Sequence, residues 1–146
     1  HLVRLTADCP LADPDLIDAT IELCLSSDAD YANNVAEGRA WPKGTDVEVM
    51  RASALREAAK VASPEAREHV TWDLRTQPER WRQVFLACHP DQGAVRWTVD
   101  RPDDYAFVAA VYDALYPKNR AFTSDDVRAF VRDRPDLEEY GGDRRV

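Results

Sequence analysis

The chain has 146 residues, of which 45% are hydrophobic, and this length and composition are those of one globular domain. Its net charge of −8 argues against a surface for nucleic acid or anionic membranes, because such surfaces need clustered Lys and Arg. The sequence has no apolar run of 18 residues, so it predicts no transmembrane helix. Cys9, Cys24 and Cys88 are widely spaced, which favours reduced thiols and a cytoplasmic setting.

The first part of the chain alternates short strands with helices. Residues 2–5 predict a buried strand, and the helix after it begins at Pro14 with Asp13 as its N-cap. Apolar residues then recur at helical spacing, namely Leu16, Ile17, Ile21, Cys24 and Leu25. Next come a short strand at 30–33, a loop at 34–45 that includes Gly38, and a strand at 47–50.

The second part predicts the same alternation. One helix ends before Pro64, and Ser63 caps the next, which starts at that proline. Strands are expected at 81–88 and 94–99, helices from Pro102 and from Thr123 or Ser124, and a flexible tail at 141–146 after a domain over 1–140. Strands that alternate with helices predict an α/β fold with a mainly parallel sheet, whose ligands lie beyond the carboxyl ends of its strands.

Two aspartates follow predicted strands. Asp8 comes after the first strand and Asp100 after the strand at 94–99, and each precedes a helix start that contains proline. Mg²⁺ bound to a nucleoside triphosphate takes only one or two protein carboxylates, so these two residues would suffice as its ligands. The alternative is structural: Asp100 could cap the following helix, and Asp8 could brace the turn at Cys9.

Further polar candidates lie in the middle of the chain. Gly44 allows close backbone approach, and Asp46 and Glu48 point to the same side of one strand, where they could bind sugar hydroxyls. The residues alone favour a solvated strand face instead. Glu68 and His69 lie on the polar side of a predicted helix, where a lone histidine is more often a surface residue than a catalyst. The sequence contains neither GxGxxG nor GxxxxGK[ST].

Taken together, five motifs resemble the cytidylyltransferases of the spore-coat-polysaccharide type, which belong with the CMP-sialic acid and CMP-Kdo synthetases. In chain order they are VRLTADCPLADPDLID, GTDVEVM, REHVT, PERW and RWTVDRPDDYAFVAAVYDALYP. The first and last motifs carry most of the resemblance, which covers nearly the whole chain. It implies a Rossmann-like nucleotidyltransferase fold, of the type found in nucleotide-diphospho-sugar transferases.

The resemblance also implies an activity: a sugar hydroxyl attacks the α-phosphate of CTP, and pyrophosphate is released. By motif, Asp8 and Asp100 would bind Mg²⁺, and Gly44, Asp46 and Glu48 would lie near an acidic or amino sugar, with Glu68 and His69 beside them. Catalysis would rest on the metal and on positioning, with no other catalytic residue. The family is commonly dimeric, so a homodimer is expected.

The chain departs from the family at its start. The family begins with a strand and a basic loop that grip the triphosphate and read cytosine, and this nucleotide-binding part has no counterpart here. We therefore expect the chain to be the C-terminal part of a longer enzyme. Two alternatives are a non-catalytic relative that serves in dimerisation or sugar binding, and an unrelated α/β domain whose aspartates are helix caps.

Overall fold

The computed structural model describes residues 1–35 and 39–146, with the backbone alone at position 65, so Gly38 of the predicted loop lies outside the described residues. The strands are β1 (Leu2–Arg4), β2 (Tyr31–Asn33), β3 (Glu48–Met50), β4 (Gln83–Phe85), β5 (Glu139–Tyr140) and β6 (Asp143–Arg144). The helices are α1 (Pro14–Ser26), α2 (Ala52–Val61), α3 (Pro64–Glu68), α4 (Trp72–Thr76), α5 (Pro102–Leu115), α6 (Ser124–Arg132) and α7 (Pro135–Glu138). Among the described residues, no helix has the length and apolar character needed to cross a bilayer.

The main sheet has the strand order β1-β3-β2-β4. β2 and β4 are parallel, whereas β3 is antiparallel to both of its neighbours, so the sheet is mixed and the prediction of a mainly parallel sheet needs correction. The reason is that β3 runs back beside β2, and the described residues between these two strands form no crossover helix. β1, β2 and β4 still point the same way, and their carboxyl ends lie at one edge of the sheet.

β1 lies at the edge of this sheet, with Val3 in register with Val49 of β3. The sequence predicted a buried strand, but Leu2, Val3 and Leu5 are each more than two-fifths exposed. Apolar character alone does not distinguish a central strand from an edge strand, and this explains the difference. The buried part of the sheet is formed instead by β2 and β3, on which α1 packs.

Asp13 joins the starts of two helices through its carboxylate. Its Oδ1 accepts hydrogen bonds from the backbone N–H of Asp15 (2.9 Å) and of Leu16 (3.4 Å), which confirms the predicted N-cap of α1. Its Oδ2 accepts a third hydrogen bond, from the backbone N–H of Ser124 at 2.8 Å. The N-termini of α1 and α6 therefore lie side by side.

The segment 94–99, which the sequence predicted as a strand, pairs with residue 43 through a single parallel bridge. The Lys43 N–H donates to the carbonyl of Val95 (2.9 Å), and the Lys43 carbonyl accepts from the N–H groups of Trp97 (2.6 Å) and Thr98 (2.9 Å). Trp97 is fully buried in the second core cluster, which α5 and α6 share. The segment is therefore held by packing and by this single bridge, and it does not form the regular hydrogen-bonded strand that the sequence predicted.

The C-terminal residues differ from the flexible tail that the sequence predicted. β5 and β6 form a hairpin, and Arg145 after it is fully buried. The Arg145 guanidinium lies on the ring of Phe107 and donates to Asp104, while its carbonyl accepts from the Trp97 indole at 2.9 Å. A buried cation with these partners holds the end of the chain against α5, and no feature of the tail sequence indicates this.

Candidate functional site

Asp8 and Asp100 lie on two segments that the structure holds side by side. The carbonyl oxygen of Asp8 accepts hydrogen bonds from the Val99 N–H at 2.8 Å and from the Thr98 hydroxyl at 3.1 Å. Both aspartates are exposed, and Asp8 follows β1 at the edge where the parallel strands end. The fold therefore brings together the two carboxylate-bearing turns that the sequence singled out.

The Asp100 carboxylate already lies between two cationic side chains. Its Oδ2 accepts from the Arg96 guanidinium at 2.8 Å and from the Lys43 ammonium at 3.3 Å. These hydrogen bonds, that of Arg96 foremost, lower the pKa of Asp100 below its ordinary value. The carboxylate is therefore ionised at neutral pH, and its negative charge attracts the two cationic side chains that contact it.

The capping role considered for Asp100 belongs to Asp104. The Asp104 side chain accepts from the backbone N–H groups of Asp100 and Arg101, each at 3.1 Å, at the start of α5. The turn after Asp8 is likewise closed by the backbone, since the Cys9 N–H donates to the Thr6 carbonyl at 3.0 Å. The Asp8 carboxylate contacts this turn only through the Cys9 thiol, at 3.9 Å, and among the described residues neither predicted metal ligand caps a helix through its carboxylate.

Asp104 also fixes the position of Arg96. Asp104 is fully buried and accepts from Arg96 at 3.0 and 2.7 Å, and from Arg145 at 2.9 Å. The hydrogen bonds of these guanidinium groups, with that of Arg96 the largest cause, hold the pKa of Asp104 far below its usual range despite burial. A buried carboxylate therefore orients the arginine that contacts Asp100.

A second polar site lies in a cavity of about 100 Å³ beside β3. It contains three of the predicted sugar-site residues: Asp46 and Glu48 from one segment, and His69 from another. The other lining residues are Arg4, Thr6, Val35, Thr71 and Arg75. Two of these five residues, Arg4 and Arg75, are cationic.

Glu48 forms the buried floor of this cavity. One of its oxygens accepts from the Thr71 hydroxyl at 2.7 Å and from the Tyr31 hydroxyl, and the other pairs with Arg4. Burial and the neighbouring Glu48 carboxylate raise the pKa of Tyr31 well above its usual range. Glu48 is therefore a structural acceptor of three hydrogen bonds, and the solvated strand face favoured by the residues alone is wrong for this position.

The remaining candidates occupy different environments. Asp46 pairs with both terminal nitrogens of Arg39, at 2.5 and 2.9 Å, at the side of the cavity. His69 is exposed, and its ring lies 5.9 Å from that of Trp72. Glu68 is exposed at the end of α3 and is not one of the residues that line the cavity.

Gly44 supports the site through its backbone. Its φ of +106° is a conformation that L side chains rarely adopt, and an added Cβ would lie 2.3 Å from the Thr98 nitrogen. The glycine therefore allows the Lys43 segment to approach the segment that leads to Asp100. This close approach accounts for Gly44 without any ligand.

Gly44→Ala is expected to destabilise the chain by about 2–4 kcal/mol, because it combines backbone strain with a clash against fixed main-chain atoms. Gly142→Ala is the matched control, since Gly142 also has a positive φ, +80°, but has open space around its Cα. The control should cost about 1–2 kcal/mol. Urea unfolding measures both, and equal costs would contradict the close-approach explanation.

A larger cleft of about 460 Å³ lies between the starts of α1 and α6. Its walls are mainly apolar, with Leu16, Trp41 and Leu86 among them, and Arg128 lies at its rim. None of the predicted site residues lines it. Among the described residues, the polar cavity and the Asp8–Asp100 turns are therefore the places where the candidates meet.

The donor set at Asp8 and Asp100 fits a cation that is shared with a ligand. In the described part of the chain, no group of three or more His, Cys, Asp and Glu side chains could hold a metal ion by itself. Mg²⁺ bound to phosphates takes only one or two protein carboxylates and completes its shell with water and phosphate oxygens. Two exposed carboxylates on adjoining turns match that requirement.

Four further site residues were not predicted from the sequence, namely Arg4, Arg75, Arg96 and Asp104. Only Arg4 carried a usable signal, since Arg4 of β1 and Glu48 of β3 are opposite charges that become direct cross-strand partners once the register is known. Arg96 and Asp104 meet across a turn that no periodicity describes. Their pairing depends on the tertiary path from residue 96 into α5.

No family model matches the chain. The chain is 31% identical over 116 residues to the spore coat polysaccharide biosynthesis protein SpsF of Bacillus subtilis (strain 168), across 76% of this chain and 46% of that protein. A solved cytidylyltransferase from Leptospira borgpetersenii serovar Hardjo-bovis (strain JB197) superposes with a TM-score of 0.83 at 25% identity, across 92% of this chain and 57% of that one. The chain thus spans about half the length of both proteins.

Proposed function

Since this chain is related to the cytidylyltransferases in sequence and in fold, we propose that it forms the metal-binding and acceptor-binding part of an enzyme that transfers CMP from CTP to a sugar. In this reaction a sugar hydroxyl oxygen forms a bond to the α-phosphorus, the bond to the β-phosphate oxygen breaks, and pyrophosphate and the hydroxyl proton leave. The observation that carries the proposal is the side-by-side placement of the Asp8 and Asp100 turns at the carboxyl edge of the sheet.

Asp8 and Asp100 would hold Mg²⁺, with the rest of its ligands taken from water and phosphate oxygens. The bound metal supplies positive charge that neutralises the phosphates during transfer. The contribution of the chain is position: the Thr98 hydroxyl and the Val99 N–H fix the turn of Asp8, and Arg96 fixes the carboxylate of Asp100. No further catalytic side chain is proposed.

The polar cavity would receive the acceptor sugar. Its charge favours an anion, because Asp46 is paired with Arg39 and Glu48 with Arg4, which leaves the guanidinium of Arg75 among the lining residues. An acidic group on the sugar would meet this cation, and this favours acidic over amino sugars. Glu48 would hold Arg4 in place and would not contact the sugar itself.

We also propose a cytoplasmic homodimer. Val61, between the GTDVEVM and REHVT motifs, is 62% exposed. Val70 within the REHVT motif is 49% exposed, and Trp72 just after that motif is 43% exposed. Large apolar side chains that cluster at a surface commonly mark protein interfaces. Light scattering after size exclusion would show a dimer that Val61→Asp weakens.

The metal-binding part of this function is tested by melting the chain with CTP, with and without Mg²⁺. Transfer is tested on a chain that also carries a nucleotide-binding part, by assaying pyrophosphate release from CTP with a nonulosonic acid, a Kdo-type acid and an amino sugar. We expect a rise in melting temperature that needs both CTP and Mg²⁺. ATP and UTP at the same concentrations are the controls for nucleotide choice. A folded chain that shows no Mg²⁺-dependent shift with CTP would contradict the metal-binding part of the proposal.

A second candidate function is sugar binding or dimerisation without catalysis. It is favoured by the Asp100 carboxylate, which is already neutralised by Arg96 and Lys43. Calorimetry with the same sugars in the absence of CTP discriminates the two. Sugar binding that CTP and Mg²⁺ leave unchanged would support the non-catalytic function.

A further inference from the structure

Lys43 has a rigid backbone and an exposed side chain. Its N–H and carbonyl are engaged by Val95, Trp97 and Thr98, and Gly44 beside it packs against the Thr98 backbone. The Lys43 side chain, in contrast, is 49% exposed. A change in what this residue contacts is therefore confined to its side chain, whose four-carbon stem is flexible.

The two cations on Asp100 are held very differently. Arg96 is 15% exposed and is anchored by two hydrogen bonds to the buried Asp104, so it cannot leave without breaking that network. The Lys43 ammonium lies 3.3 Å from Asp100, and within the described part of the chain the structure records no other hydrogen-bond partner for it. Of the two, Lys43 is the exchangeable one.

A divalent cation on Asp100 would lie close to the Lys43 ammonium, which contacts Oδ2 of the same carboxylate. An ammonium group and a metal ion that share one carboxylate compete, both for its lone pairs and through mutual repulsion. We infer that Lys43 is a triphosphate-binding residue whose ammonium rests on Asp100 until a divalent cation displaces it. This inference rests on the proposed function, because it takes Asp100 as a metal ligand.

Once displaced, the ammonium lies beside the phosphates that arrive with the metal. Lysine binds phosphate oxygens as a compact point charge, and a fixed backbone with a mobile stem suits transfer from one anion to another. The same side chain would thus lower the affinity of the site for metal alone and raise its affinity for metal with nucleotide. The site would therefore bind the metal ion together with the nucleotide and would bind the metal ion alone only weakly.

The test is a titration of the chain with Mn²⁺, followed by the spin-resonance signal of the free ion, first alone and then with CTP. Lys43→Met should bind Mn²⁺ alone about three- to tenfold more tightly, and Mn²⁺ with CTP about tenfold more weakly. Lys60→Met is the matched control, because it removes the same charge from an exposed lysine that pairs with Glu57 on α2. Lys43→Arg keeps the charge and should behave nearly as the wild type.

The outcomes separate this inference from the proposed function. Asp100→Asn that leaves Mn²⁺ binding unchanged would overturn the metal site, and the inference with it. If Asp100→Asn weakens Mn²⁺ binding but Lys43→Met matches Lys60→Met, the metal site stands and the role of Lys43 is overturned. Tighter Mn²⁺ binding by Lys43→Met with unchanged binding of Mn²⁺ and CTP would overturn the phosphate contact. Melting temperatures confirm that each variant is folded.

Discussion

Asp104→Ala is expected to lower the free energy of unfolding by about 3–5 kcal/mol, a large share of the stability of a domain of this size. Asp104 is fully buried and pairs with Arg145, which is also fully buried, and with Arg96. Removing the carboxylate would take the buried charged acceptor from two guanidinium groups, and Arg145, which has no access to water, would keep only backbone carbonyl acceptors. It would also remove the acceptor of the N–H groups that begin α5.

Asp103→Ala is the matched control, because Asp103 is the neighbouring residue in the first turn of α5 and is exposed. It should cost about 0.3–1 kcal/mol, the usual effect of charge at a helix start. Urea unfolding at neutral pH measures both variants. A cost for Asp104→Ala as small as that of the control would show that the buried network contributes little to stability.

The same network predicts how stability depends on pH. The pKa of Asp104 is lowered in the folded state, so its contribution is fully present above the ordinary pKa of an aspartate, about 3.9, and is lost as the pH falls below that value. The wild type should therefore lose stability on acidification below about pH 4, and Asp104→Ala should lose less in that range. Parallel acid transitions of the two proteins would contradict this assignment.

Asp8→Asn and Asp100→Asn are each expected to abolish the Mg²⁺-dependent rise in melting temperature with CTP, while changing the stability of the free chain by less than about 1 kcal/mol. Neither carboxylate caps a helix, and both are exposed, so their loss should be tolerated by the fold. An amide binds Mg²⁺ far more weakly than a carboxylate does, because it carries no charge. Thermal melting with and without Mg²⁺ and CTP measures both effects.

Asp125→Asn is the control for this pair, since Asp125 is an exposed aspartate at the start of a different helix, α6. It should leave the ligand-dependent shift intact. A variant of Asp8 or Asp100 that keeps the full shift would exclude that residue as a metal ligand. A variant that melts several degrees lower without ligand would indicate a structural role instead.

The sequence predicted most helices well because their ends carry local signals. Asp13 with Pro14, Ser63 with Pro64 and Thr123 each mark a helix start through their own side chains, and the structure confirms all three as N-caps. The short helices α4 and α7 were not predicted. Each is too short for an apolar repeat to show, and tertiary packing decides such elements.

The residues of the candidate site likewise divide into those that local sequence signals predicted and those that depend on long-range contacts. Strand-end position alone placed Asp8 and Asp100 at one edge of the sheet, and alternation placed Asp46 and Glu48 on one strand. The sequence failed where long-range contacts decide, as at Glu48, which three partners from other elements convert from a surface residue into a buried one. Arg145 shows the same effect, since a charged residue near a chain end gives no local sign of burial.

Asp13 has a consequence for how the chain folds. Its carboxylate joins α1 to Ser124, 111 positions further on, and the nearby Tyr112 hydroxyl donates to the Pro10 carbonyl, 102 positions back. Contacts between such distant positions form only after most of the loop-closure entropy has been lost, which slows folding. Once formed, these contacts make the N-terminal and C-terminal parts of the chain stabilise each other. We therefore expect the chain to unfold in a single cooperative transition, without a stable N-terminal intermediate.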